Sequence, residues 1–138
     1  MMNRRNKSSD KRTLFVTVGS TKFELLIDTV LSERTLGVLE RNGIERIVMQ
    51  VGNGKHNDRE LAELKRDETK KFYRGKIEVV AYMYKSSLRD DLLSADLVIS
   101  HAGSGSIIES LEADKRLIVV VNESLMDNHQ FEIAEKMF

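Results

Sequence analysis

Asp96-Leu97-Val98-Ile99-Ser100-His101-Ala102-Gly103-Ser104-Gly105-Ser106-Ile107-Ile108-Glu109 decides the fold of this chain. The apolar opening reads as a buried strand, and Ile107, Ile108 and Leu111 read as the core face of a helix. A strand, a small-residue turn and a helix start gather several free backbone N–H groups at one point. The helix dipole adds positive potential there, so the point favours an anion. Glu109 lies about one turn into the helix, where a carboxylate can reach a ribose hydroxyl. The segment therefore reads as a site for a nucleoside diphosphate. A second reading fits equally well: Ser106-Ile107-Ile108-Glu109 is a capping box, its serine and glutamate satisfying each other's backbone donors. His101 tips the balance toward a ligand, because an imidazole at a strand end can donate to a phosphate or stand neutral in the wall.

Working outward, apolar strands alternate with helical patterns. Thr13-Leu14-Phe15-Val16-Thr17-Val18 is β-branched and aromatic and ends at Gly19. Phe23, Leu26, Ile27 and Val30 follow at the spacing of a helix core stripe, and Asn42-Gly43 reads as a helix stop. Arg46–Val51 is a second strand, and residues 58–71, charged with only Leu61 and Leu64 apolar, read as an exposed helix. Lys76–Ala81 is a third strand, and Leu88, Leu92 and Ala95 mark a short helix. Leu97–Ser100 and Arg116–Val121 are the fourth and fifth strands, and Phe131, Ala134 and Phe138 share one face of a last helix. Five βα units predict an α/β domain, a Rossmann-like parallel sheet with helices on both faces. Ligands on such sheets bind at the carboxyl ends of the strands. The Gly-rich and His-containing turns, 19–22, 52–56, 101–106 and 122–130, all fall at those ends.

The 138 residues suit one domain, expected over 13–138, and the last helical pattern stops at Met137-Phe138 without a Gly or Asn cap, as a truncated C-terminus would. Residues 1–12 carry Arg4, Arg5, Lys7, Lys11 and Arg12 against Asp10 alone and are expected to be a disordered basic tail. Hydrophobic content of 41% with 32% charged residues fits an ordinary globule, and a net charge of zero gives no general case for nucleic-acid binding. The tail lacks the apolar stretch of a secretory signal, and no run approaches the roughly 18 apolar residues of a transmembrane helix, so a cytoplasmic or nuclear protein is expected. Without cysteine there is no disulfide framework or thiolate zinc site, and His56, His101 and His129 lie on separate turns without metal-ligand spacing, so no metal is expected.

Each remaining motif is ambiguous alone. Gly103-Ser104-Gly105-Ser106 lacks the third glycine of a dinucleotide fingerprint, since Ile108 stands there, and Gly54-Lys55 lacks the rest of a Walker A loop. Ser104 is not in a nucleophile elbow. Gly19-Ser20-Thr21 is a βα turn that can approach a phosphate or sugar. Gly52–His56 is another turn or a basic finger. Tyr82-Met83-Tyr84-Lys85 either closes the core or offers backbone groups and a ring to a base. Asp127 is a plausible N-cap for the last helix, placing His129 and Gln130 in its first turn, where amide and imidazole groups suit sugar hydroxyls.

In this order, Phe15–Thr21, Ile99–Ser106 with Glu109, and Val119–Gln130 closely resemble one family, from about residue 13 to the end of the chain. It is the family of catalytic subunits of the UDP-N-acetylglucosamine transferase of the dolichol pathway, itself similar to the C-terminal half of the bacterial transferase that makes lipid II. The resemblance implies the donor-binding C-terminal half of a GT-B glycosyltransferase, whose other half is a membrane-anchored subunit (asparagine-linked glycosylation protein fourteen). It implies work on the cytosolic face of the endoplasmic reticulum, where the pair adds the second N-acetylglucosamine to N-acetylglucosaminyl-diphosphodolichol with inversion. It implies that the isolated chain has little activity, that no cofactor or essential metal is needed, and that family members continue past this C-terminus into a helix that docks on the partner. Carried over by position, Glu109 matches the glutamate on the ribose, and His101 with Gly103, Ser104, Gly105 and Ser106 matches the diphosphate loop. Tyr84 and Lys85 match the backbone positions on uracil. Asn128, His129 and Gln130 match the polar group near the donor sugar, and Gly19 and Ser20 match the first glycine-rich turn. A general base need not lie on this half, and His129 is the one candidate retained. Two other classes share such a donor site: a UDP-sugar epimerase or hydrolase, and a non-catalytic UDP-sugar-binding module.

Overall fold

The computed structural model describes residues 11–19, 22–101, 116–122 and 131–136. They form, in chain order, β1 (Thr13–Thr17), α1 (Glu24–Val30), α2 (Glu33–Arg41), β2 (Arg46–Gln50), α3 (Arg59–Ala62), β3 (Thr69–Arg74), β4 (Ile77–Tyr82), α4 (Arg89–Ser94), β5 (Leu97–His101), β6 (Arg116–Asn122) and β7 (Phe131–Lys136). One seven-stranded sheet runs β3-β4-β2-β1-β5-β6-β7. The five strands expected from the sequence are its centre, and every neighbouring pair among them is parallel. Their register sets Tyr82, Gln50, Thr17, Ser100 and Val119 in one row across the carboxyl ends.

Alternation along the strands divides the core. Leu14, Val16, Ile47, Met49, Val79 and Ala81 pack on one face against Leu26, Ile27 and Val30 of α1 and Leu61 of α3, with Leu36 and Leu39 of α2 at the margin. Phe15, Tyr82 and Val98 pack on the other face against Leu92 of α4 and Ala95 behind it. Fully burying a side chain such as Leu14, Phe15 or Ile47 contributes about 1.5–3 kcal/mol, so these two layers supply most of the drive to fold. The helical stretch after the first strand is two helices rather than one, because Ser32 caps α2 by accepting from the Thr35 backbone N at 3.3 Å. Gly43, at φ +86°, follows α2 as the Asn42-Gly43 signal predicts.

Three expectations are corrected. The exposed helix over 58–71 is only the short α3, after which the chain turns into β3, antiparallel to β4. Phe72 is buried between exposed Lys71 and Tyr73, a period of two, and Gly75 at φ +59° makes a tight hairpin possible. The last helix is instead β7, antiparallel to β6 from Asn122↔Phe131 to Leu117↔Lys136, while Asp127, read as its N-cap, lies outside the described residues. Six residues hold under two helical turns, and Phe131 and Ile133 alternate as well as they follow a helical stripe. The sheet is therefore mixed, with an antiparallel strand at each edge, rather than wholly parallel. Both edge strands are joined to their neighbours locally in sequence, which costs less loop entropy than a crossover.

Candidate functional site

The carboxyl ends of the five parallel strands are where a ligand on such a sheet is held. Gly19 follows β1 at φ +68°, and Gly52 follows β2 at φ +70°, a backbone region that a side chain disfavours. Both glycines let the chain reverse directly above the row of strand ends. His101 closes β5 beside them. Its ring meets that of Phe23 edge-on, with centroids 5.3 Å apart at 79°, and burial pushes its pKa below the ordinary histidine value. It is thus neutral at pH 7, able to donate one hydrogen bond without a charge. Tyr84 and Lys85 follow β4 and are exposed. The Lys85 side chain is engaged by its own loop: Nζ lies 3.1 Å from Asp91 Oδ2 and 4.3 Å above the Tyr82 ring. Tyr82 closes the core rather than lining a site. It is buried, its hydroxyl donates to Asp91, and burial followed by that carboxylate raises its pKa.

Gln50 is the residue that sequence reasoning missed. It ends β2 and is 1% exposed. Its Oε1 accepts from Thr17 Oγ1 at 2.5 Å, Gly19 N at 2.8 Å and Val18 N at 3.2 Å. Its Nε2 donates to Met83 O at 2.7 Å and Gly19 O at 2.9 Å. One amide thereby ties the turn after β1 to the loop after β4. A polar residue closing the apolar run Ile47-Val48-Met49, two positions before Gly52, was the available signal.

His56, in the turn after β2, has both ring nitrogens buried without a hydrogen-bond partner among the described residues. Burial pushes its pKa down, against the pull of Asp28, Glu24 and Asp58. The turn is fastened to α1, with Lys55 N donating to Glu24 Oε2 at 2.5 Å and Asn57 Nδ2 to Asp28 Oδ2 at 3.2 Å. The structure thus brings Gly19, His101 and the start of the Tyr84–Lys85 loop to one end of the sheet. Ser20, Gly103, Ser104, Gly105, Ser106, Glu109, Asn128, His129 and Gln130 lie outside the described residues. Among the described residues, no helix is long and apolar enough to cross a membrane.

The glycosyltransferase family 28 C-terminal domain matches residues 13–137. The chain is 46% identical over 123 residues to the mouse UDP-N-acetylglucosamine transferase subunit ALG13, covering 89% of this chain and 10% of that protein. The human protein of the same name is 41% identical over 126 residues, 91% of this chain and 10% of its own length. The Saccharomyces cerevisiae ALG13 is 36% identical over 148 residues, 92% of this chain and 73% of its own length. The chain therefore spans only a small part of the two mammalian relatives. Its fold also matches an NMR solution structure of ALG13, with a TM-score of 0.62 at 32% identity, covering 87% of this chain and 70% of that one. Strands, turns and these likenesses agree: the chain belongs to the glycosyltransferase family 28 C-terminal domain family.

Proposed function

We propose that this chain is the donor-binding subunit of a two-subunit inverting glycosyltransferase. It takes UDP-N-acetylglucosamine and, with a membrane-anchored partner, adds the second N-acetylglucosamine to N-acetylglucosaminyl-diphosphodolichol on the cytosolic face of the endoplasmic reticulum. The observation that carries the reading is the match of residues 13–137 to a glycosyltransferase domain whose relatives are named as subunits of a UDP-N-acetylglucosamine transferase. The row of strand ends supports it: two glycine turns and a neutral His101 stand where a nucleoside diphosphate is held on such sheets.

In this reading an acceptor hydroxyl oxygen attacks the anomeric carbon and the bond from that carbon to the diphosphate oxygen breaks, inverting the centre. The hydroxyl proton passes to a base, for which His129 is this half's candidate, and UDP leaves. The Gly103–Ser106 turn takes the diphosphate through backbone N–H groups and so stabilises the charge that develops on departing UDP. Glu109 accepts from the ribose hydroxyls, Tyr84 and Lys85 hold the uracil through their backbone, and Asn128, His129 and Gln130 face the sugar. His101 donates to a phosphate oxygen, with Gly19 and Ser20 beside it.

The test is transfer from labelled UDP-N-acetylglucosamine to an N-acetylglucosaminyl-diphospholipid by the chain with its membrane partner, by each protein alone, and by the pair carrying Glu109→Ala. Transfer by the wild-type pair alone is expected, with the variant's UDP affinity weakened by roughly 1.5–3 kcal/mol for the lost charge-assisted bond. Release of free sugar or an epimer without acceptor, or UDP binding with no transfer beside a full-length partner, would overturn it.

A further inference from the structure

We infer that Gln50 is a positioning residue that sets the two halves of the nucleotide site, the turn after β1 and the loop after β4, at a fixed separation. The inference rests on the donor reading above. The network defines which way the amide points: three donors converge on Oε1 and two carbonyls on Nε2, so a flipped amide would face N–H with N–H and C=O with C=O. Every polar atom of the side chain is satisfied, in a place 1% exposed where any unsatisfied group would be costly.

The sheet itself does not need this side chain. Backbone bonds already continue the ladder past the strand ends: Val18 N to Gln50 O at 3.2 Å, Val51 N to Tyr82 O at 2.9 Å and Gly52 N to Met83 O at 3.1 Å. A leucine or methionine would fill the same buried position without an amide to desolvate. What the amide adds is a side-chain link between two segments that the ladder does not join to each other, Gly19 on one side and Met83, next to Tyr84, on the other. A ligand with a base at one loop and a phosphate at the other gains affinity when both are held before it arrives. Gln50 and its donor Thr17, 0% exposed, are too buried to touch that ligand themselves, so any effect of changing them on binding travels through the loops.

The experiment is UDP titration of the full chain by calorimetry and by backbone amide NMR, on wild type, Gln50→Leu, Thr17→Val and Ile44→Ala. Thr17→Val is nearly isosteric and removes one hydroxyl, which donates to Gln50 Oε1 and accepts from Gly19 N at 3.2 Å, so it keeps the test open if Gln50→Leu fails to fold. Ile44→Ala hollows the core just ahead of β2, at the opposite end of the sheet, and reports the effect of lost stability alone. UDP affinity is expected to fall roughly ten- to a hundredfold in Gln50→Leu and severalfold in Thr17→Val, with amide shifts at both Gly19 and Met83–Lys85. Ile44→Ala should bind as wild type does. Wild-type affinity in folded Gln50→Leu or Thr17→Val, or an equal loss in Ile44→Ala, overturns the inference and leaves the donor reading standing. A wild-type chain that does not bind UDP overturns both.

Discussion

Replacing Glu78 with glutamine should destabilise the domain by about 2 kcal/mol at pH 7 while leaving the ligand end untouched. Glu78 lies near the amino end of β4, 3% exposed, with Arg46 Nε at 2.7 Å and Lys11 Nζ at 3.3 Å from Oε1 and Lys71 Nζ at 3.1 Å from Oε2. Burial alone would raise its pKa. The hydrogen bonds from Arg46, Lys71 and Lys11 outweigh burial and hold it down at about 2, from an ordinary value of 4.5. Since one unit is about 1.4 kcal/mol, full linkage gives about 3 kcal/mol at neutral pH. Lys71 is 64% exposed and Lys11 33%, so water screens part of that and rehydrates both lysines in the variant. A carboxyl with a lowered pKa stabilises the fold fully above its unfolded value and loses that contribution as pH falls through its folded value. The gap between wild type and Glu78→Gln should therefore be complete at pH 7, shrink to about two-fifths at pH 3, and close near pH 2. Urea unfolding at those pH values reads it directly. A gap below about 0.5 kcal/mol at pH 7, or one that does not narrow in acid, refutes the reasoning.

Asp58→Ala should cost about 1–2 kcal/mol, because Oδ1 caps α3 through Glu60 N at 2.9 Å and Leu61 N at 3.3 Å while Oδ2 meets Arg74 at 2.5 Å. Urea unfolding beside Asp58→Asn, which keeps the cap and loses the ion pair, divides the two contributions. His56 and His101 both have pKa values pushed below 6.5 by burial. The unfolded chain then binds more protons than the folded one as pH drops below about 6.5, so acid selects the unfolded state. Wild type should be less stable at pH 5.5 than at pH 7.5, and His56→Gln with His101→Gln should flatten that slope. Equal slopes in the two proteins would contradict it.

The central sheet was legible because its strands are short continuous apolar runs, the pattern of strands buried on both faces. Leu14–Val16, Ile47–Met49 and Val79–Ala81 needed no tertiary information to be placed. The edges were not legible, for a physical reason. Thr69–Arg74 buries only Phe72, and its lysines and arginine read as the face of a solvated helix until β4 is known to lie beside it. Phe131–Lys136 is too short for either period to win, and pairing with β6 settles it. At the candidate site the glycines were legible because positive φ leaves a residue-type signature. Gln50 was not, because its role exists only when Gly19 and Met83, 31 and 33 positions away in sequence, are brought to it by the parallel pairing.

That difference explains why misreading the last element does not move the end of the sheet at which the proposed site lies. A helix after residue 130 and an antiparallel strand after residue 130 make different packing demands, yet the chain leaves β6 at Asn122 and re-enters the sheet opposite it at Phe131. Both points are at the carboxyl end of β6, which the parallel pairing of β5 with β6 puts at the same end as His101 and, through β1, as Gly19. The ligand end is fixed by the common direction of five parallel strands, which their pairings set. Element type at a sheet edge is decided by local pattern and is easily mistaken. The end of the sheet at which a turn begins is decided by topology, and here the strand before each turn was the most strongly patterned part of the chain. Gln50→Leu therefore probes the design more sharply than any edge substitution, because it leaves topology intact and releases only the turns that topology has gathered.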